Sequence, residues 1–220
     1  MSQPITHVIY DMDGLLLDTE SLNERVNGEI VQRYGKSFTT EIKIAIAGTT
    51  AINSAQTIID RLELPLTIEE YLTERNKILY PLYATAKTFP GTIELIEHLA
   101  QHNIPQAIAT SSSRQNFEMK TVQHQDWLKY FELFTFGDDP EIKQGKPAPD
   151  IFLLTAKRLN AQPKQCLVFE DSLSGMKAAI AAQMPVVVIP DPVFDKKIFS
   201  AANWVLNSIT EFDPKIITTR

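Results

Sequence analysis

The chain has 220 residues, 44% of them hydrophobic and 22% charged, enough to bury the core of one globular unit or of a main domain with a smaller insert. A net charge of -6, a sequence pI near 5.3 and scattered Lys and Arg residues leave no basic stripe for nucleic-acid phosphates, which argues against a polymer substrate. A single cysteine excludes an internal disulfide, and Cys166 lies in the apolar run Cys166-Leu167-Val168-Phe169, where a small buried hydrophobe is expected.

The first predicted element is a strand from Ile5 to Tyr10, reached without the long apolar stretch of a signal peptide or membrane span, so a cytoplasmic protein with no membrane partner is expected. It ends in Tyr10-Asp11-Met12-Asp13-Gly14. Two carboxylates two residues apart, turned by a permissive glycine, can face one pocket where a divalent cation offsets their repulsion. One can attack phosphorus while the other handles protons. Alone, the same residues read first as a polar strand-to-loop turn.

From about Ser21 to Thr85 the pattern changes to amphipathic helices, with apolar faces at Ile30-Val31, Ile42-Ile44-Ile46, Ile58-Ile59-Leu62 and Leu72-Ile78-Leu79 and no convincing strand. This reads as a helical insert. Pro90-Gly91 then opens a helix with Ile93, Leu95, Ile96 and Leu99 on one face. A strand at Gln106 to Ala109 leads into Thr110-Ser111-Ser112-Ser113, whose hydroxyls and backbone N–H groups can seat a phosphate or cap a helix.

A strand at Leu133 to Phe136 precedes a loop from Asp139 to Asp150 containing Gly145-Lys146-Pro147, and Pro149-Asp150 opens the next helix. Lys146, between a glycine and a proline, sits on a stiff backbone from which its ammonium can screen an attacking carboxylate and an incoming phosphate. The strand Cys166 to Phe169 closes on Glu170-Asp171-Ser172, where adjacent acids at a buried strand end call for a cation or serve as a helix cap. A last strand runs from Val186 to Ile189.

Near-continuous apolar strands separated by helices predict an α/β fold: a Rossmann-like parallel sheet flanked by helices, with an inserted α-helical cap domain. The expected division is a core of residues 1–15 and 86–220 and a cap of residues 16–85. The four polar segments all lie at C-terminal strand ends, where ligands bind open parallel sheets. Asp-x-Asp, then hydroxyls, then a lysine, then an acid pair, in that order, is hard to explain as independent caps. His98 and His102 have the spacing of a zinc pair but no third ligand, and Trp127 and Trp204 read as core anchors.

These motifs resemble those of the haloacid dehalogenase superfamily over essentially the whole chain. Tyr10 to Glu20 is similar to the first motif of the subgroup with a helical cap, which includes β-phosphoglucomutase and sugar-phosphate phosphatases. Gly137-Asp138-Asp139-Pro140-Glu141, Gly145-Lys146-Pro147 and Cys166 to Asp171 are similar to pseudouridine-5'-phosphatases. The resemblance implies Asp11 as nucleophile, Asp13 as general acid and then base, Thr110 with Ser111 and Ser112 as phosphate binders, and Lys146 as charge neutraliser. It further implies Mg²⁺ held by Asp11, Asp13 through its backbone carbonyl, and Asp171, with Glu170 a ligand or just behind one. Asn23, Gly48 and Thr49 would select the leaving group from the cap. The expected activity is hydrolysis of a small phosphomonoester (pseudouridine 5'-phosphate, a sugar phosphate or a polyol phosphate) by a monomer. A phosphomutase is disfavoured by Ala51, which stands where the mutase has a cap arginine. A non-catalytic phosphate-binding module would not need both Asp11 and Asp13, and a dehalogenase would not need the leaving-group proton that Asp13 supplies.

Overall fold

The structure, a computed structural model, describes residues 4–217; the outermost limits of the expected core, 1 and 220, lie outside them. Six parallel strands form one sheet: β1 (His7–Tyr10), β2 (Gln106–Thr110), β3 (Leu133–Phe136), β4 (Cys166–Glu170), β5 (Val186–Val188) and β6 (Trp204–Val205), in the order β3-β2-β1-β4-β5-β6. The expected α/β class and parallel sheet are present. Strand residues alternate between two apolar layers, which is why they read as continuous apolar runs. Val8, Tyr10, Ile108, Leu167 and Phe169 face one layer, while Ile9, Ala107, Ala109, Cys166 and Val168 face the other. Buried Gln106, a polar residue at the start of β2, is satisfied by accepting from Tyr10 Oη and donating to the Ile96 carbonyl.

The covering helices are α5 (Thr92–Gln101), α6 (Arg114–Thr121), α7 (Gln125–Leu128), α8 (Asp150–Arg158) and α9 (Leu173–Ala181). The Pro-Gly and Pro-Asp signals mark α5 and α8 correctly. The two-residue edge strand β6 escaped prediction because two residues carry no readable alternation, and Trp204 on it is half-buried, unlike the core anchor Trp127. Ile5, expected in the first strand, makes only an isolated bridge to Ile217.

Between β1 and α5 lie α1 (Glu20–Gln32), α2 (Thr40–Ile46), α3 (Ala51–Leu62) and α4 (Ile68–Tyr83), with an apolar cluster of their own around Val26, Ile30, Ile58, Tyr71 and Leu79. In α4 the best-buried stripe is Tyr71, Leu79 and Tyr83, with Leu72 and Ile78 only partly covered; four-residue spacing puts Arg75 on that same stripe. Ile44, expected on an apolar face, is 45% exposed. Leu15, Leu16 and Leu17 pack with the sheet, not with this cluster. The chain leaves and re-enters the sheet side by side: Asp18 N–H donates to the Lys87 carbonyl, Phe89 N–H to the Leu16 carbonyl, and Leu17 bridges Thr88 antiparallel. No described helix is long and apolar enough to cross a membrane.

Candidate active site

The strand order reverses beside β1, which lies between β2 and β4, and the crevice outside those strand ends is where this architecture binds ligands. Register does the positioning. Tyr10 is level with both Ile108 and Phe169, so Asp11, the Ala109-Thr110 pair and Glu170 emerge on adjacent strands at one height. The next turn is tight, since Met12 O accepts from Leu16 and Leu17 N–H and Gly14 N–H donates to Leu17 O. Gly14 is required twice over. Its φ is +80°, and a Cβ there would stand 2.3 Å from Asp171 Oδ2.

Lys146 Nζ donates to Asp11 Oδ1 at 2.5 Å, Glu170 Oε1 at 2.6 Å and the Ala109 carbonyl at 3.2 Å, using all three of its protons. Burial would lower its ammonium, but Asp11 and Glu170 hold it well above the ordinary lysine value. Burial pushes the Asp11 carboxyl up to about 7, against the pull of Lys146 and with the push of Glu170 and Asp13.

Asp13 is fastened on both oxygens. Oδ1 accepts from Thr19 Oγ1 at 2.8 Å and Lys120 Nζ at 2.6 Å, and Oδ2 accepts from Ser112 Oγ at 2.8 Å. Burial works to raise this carboxyl, yet Lys120 and the hydrogen bonds from Lys120, Thr19 and Ser112 outweigh it and hold Asp13 below the usual carboxylate range.

Asp171 is the opposite case. Burial, then Glu170, Asp11 and Glu20, raise its carboxyl well above the ordinary value, and among the described residues no donor reaches it. Glu20, which keeps solvent access at the cavity, is raised in turn by partial desolvation there and by Asp13, with Asn23 Nδ2 as a donor at 3.2 Å. Such crowding of underpartnered hard oxygens suits a divalent cation. Among the described residues no group of three or more His, Cys, Asp or Glu side chains is arranged to hold an ion alone, so Asp11 and Asp171 need a backbone carbonyl and water to complete a shell. That donor set fits Mg²⁺, which keeps several waters.

Asp11, Asp13, Ser111, Ser112, Lys146 and Asp171 all line one cavity of about 810 Å³, and Asn23, Gly48 and Thr49 line its helical wall. Two expected members stand behind the wall instead. Thr110 is fully buried, its hydroxyl accepting from Ser112 N–H and making only a long 3.4 Å donation to Asp13. Glu170 is also fully buried; besides Lys146, its Oε2 accepts from the backbone N–H groups of Asp171 and Ser172 and from Ser172 Oγ. Its space is kept by Gly175, where a Cβ would lie 1.8 Å from the Glu170 carboxyl. Thr49 turns its hydroxyl back to Ile46 O and Ser54. Its loop presses on the sheet side, with the Cβ position of Gly48 3.0 Å from Ser174 Oγ, and nearby Lys43 pairs with Asp191 at 2.8 Å.

Sequence reasoning missed Lys120, Glu20 and Arg75. Lys120 was detectable, because Phe117, Lys120 and Thr121 share the inward row of α6, where a lysine needs a partner. His98 and His102 remain a surface pair with rings 4.3 Å apart.

Comparison with known proteins shows the family. Residues 8–189 match the family described as haloacid dehalogenase-like hydrolase. The chain belongs to that family. Within the haloacid dehalogenase-like hydrolases it is 40% identical over 216 residues to (DL)-glycerol-3-phosphatase 2 of Arabidopsis thaliana, covering 96% of this chain and 90% of that protein. It is also 40% identical over 214 residues to a probable pseudouridine-5'-phosphatase of Drosophila melanogaster, covering 96% and 93%. CbbY from Rhodobacter sphaeroides, solved in complex with phosphate, superposes with a TM-score of 0.72 at 26% identity over 94% of this chain and 96% of that one.

Proposed function

We propose that this haloacid dehalogenase-like hydrolase is a Mg²⁺-dependent phosphatase that transfers the phosphoryl group of a small metabolite to Asp11 and then to water. The convergence of Asp11, Asp13, Lys146 and Asp171 at one end of one cavity carries this reading. Asp11 Oδ2, the oxygen not held by Lys146, attacks phosphorus; the phosphorus–oxygen bond to the leaving group breaks, and the alkoxide takes a proton from Asp13. Asp13 stands in the structure as an anion, and a phosphate dianion arriving beside it favours its protonated form. Once the alcohol departs, Asp13 takes a proton from the attacking water, and cleavage of the acyl phosphate restores Asp11.

Lys146 offsets charge on Asp11 and on the transferring group, and Glu170 keeps it there. Asp11, Asp171 and the Asp13 carbonyl would hold Mg²⁺, whose charge, when bound, stabilises the phosphoryl oxygens. Backbone N–H groups around Ser111 seat those oxygens, with the Thr110 hydroxyl bracing the loop from behind. The helical region between the paired linkers at Asp18 and Lys87 acts as the cap that excludes water and chooses the leaving group. The substrate class is a polyol phosphate, sugar phosphate or pseudouridine 5'-phosphate, hydrolysed by a cytoplasmic monomer without nucleic-acid or membrane partners.

The test is phosphate release from a panel of these esters with and without Mg²⁺. Asp11→Asn should reduce turnover by about 10⁴-fold or more with circular dichroism unchanged. Phosphate release by Asp11→Asn near the wild-type rate refutes the covalent route.

A further inference from the structure

Resting on the phosphatase reading above, we infer that Lys120 is a positioning residue that locks the Asp13 carboxylate in the orientation needed to exchange protons with leaving group and water. The sequence motifs give Asp13 its role and two neutral hydroxyl partners, Thr19 and Ser112, but no charged group that fixes it. Three elements converge to do so. Thr19, just ahead of α1, donates to Oδ1; Ser112, after β2, donates to Oδ2; and Lys120, from α6, donates to Oδ1 at 2.6 Å and to Ser112 Oγ at 2.8 Å.

The ammonium thus closes a ring running from one carboxylate oxygen through Nζ to the serine hydroxyl and back to the other oxygen, which fixes the carboxylate plane and its rotation. A charge-assisted contact of this length in a site with Lys120 only 4% exposed is short and strong. The remaining side of the ammonium is covered by the ring of Tyr83, 4.8 Å from Nζ, at the last residue of α4. Lys120 is thereby held on three sides, by Asp13, Ser112 and the Tyr83 ring. It also ties Asp13 to the end of the cap, against which its neighbour Met119 packs. Lys146, the other buried lysine of the cavity, cannot substitute, because its protons are committed to Asp11, Glu170 and Ala109.

The consequence is specific to proton transfer. Phosphoryl transfer to Asp11 from p-nitrophenyl phosphate, whose nitrophenolate departs without a proton, does not need Asp13; departure of an alkoxide and attack by water both do. In Lys120→Met, kcat for glycerol 3-phosphate should fall about 100-fold or more, with KM changed less than about threefold. Stopped-flow mixing with p-nitrophenyl phosphate should show a burst of nitrophenolate stoichiometric with active sites, because Asp11 is phosphorylated quickly and released slowly. Lys120→Arg should restore part of kcat and shrink the burst. Should Lys120→Met not fold, Lys120→Gln, uncharged and one atom too short to reach Asp13 as the ammonium does, is to show the same burst.

Wild-type kcat in these variants, or equal losses on both substrates without a burst, overturns the assignment while leaving the phosphatase reading intact. A wild type that releases phosphate from p-nitrophenyl phosphate and from every ester of the panel above at no measurable rate overturns both.

Discussion

The floor and the helical wall of the cavity are built on different terms. On the floor, Lys146 uses every proton and Asp13 is held on both oxygens, with buried partners from β2, β4 and α6. On the wall, among the described residues, Arg75 donates only to the neutral Asn23 and Asn76, Asn23 passes one weak bond to Glu20, and Ile44 is nearly half exposed. Low-dielectric, fully partnered polar groups are costly to rearrange, whereas half-engaged ones exchange partners freely. The floor is thus suited to one reaction and the wall to whichever leaving group fits it.

Breaking the floor should have the larger effect. Glu170→Ala leaves Lys146 with one carboxylate instead of two, and loss of a buried ion-pair partner costs about 3–5 kcal/mol of stability. Chemical denaturation should register that loss, and kcat should fall by about two orders of magnitude; near-wild-type values of both would mean that Lys146 is held by Asp11 alone. On the wall, Arg75→Ala should change kcat/KM by about tenfold among esters with polar leaving groups, through KM, and by less than about twofold for p-nitrophenyl phosphate. Uniform loss across the panel would move Arg75 from selection to folding.

A smaller effect sharpens the contrast from the side of stability. Asp171 has a raised carboxyl in the folded protein, so between the ordinary aspartate value and its folded one the native state binds a proton that the unfolded chain has released. That contribution weakens the fold as pH rises above about 4. In EDTA, Asp171→Asn should therefore melt above wild type, by a margin that widens with pH, while losing Mg²⁺-dependent turnover. Parallel melting curves at every pH would show that the carboxylate is better solvated than the geometry implies.

Legibility in the sequence followed the same division. The parallel sheet, the helix starts at Pro90-Gly91 and Pro149-Asp150 and the order of acids, hydroxyls and lysine were readable because strand period and chain order place them. Readable, too, was the convergence of Asp11, Asp13, Lys146 and Asp171. The direction in which a side chain turns was not: Glu170 and Asp171 are adjacent in the chain, yet one faces Lys146 and the other the cavity. Lys120 and Arg75 were missed because each projects from a helix whose rotation is set by packing, and the chain order that places Thr110 at the strand end does not show that its hydroxyl is buried behind the cavity wall, between Ser112 N–H and Asp13.

The ribbon formed where Leu16 to Asp18 runs beside Lys87 to Phe89 has a modular consequence. Because both strands of that doorway are stitched to each other, the sheet experiences the same short boundary whatever is threaded beyond it. A longer, shorter or differently lined insert spliced in at this junction would meet the same seam and leave the footing of the sheet unchanged.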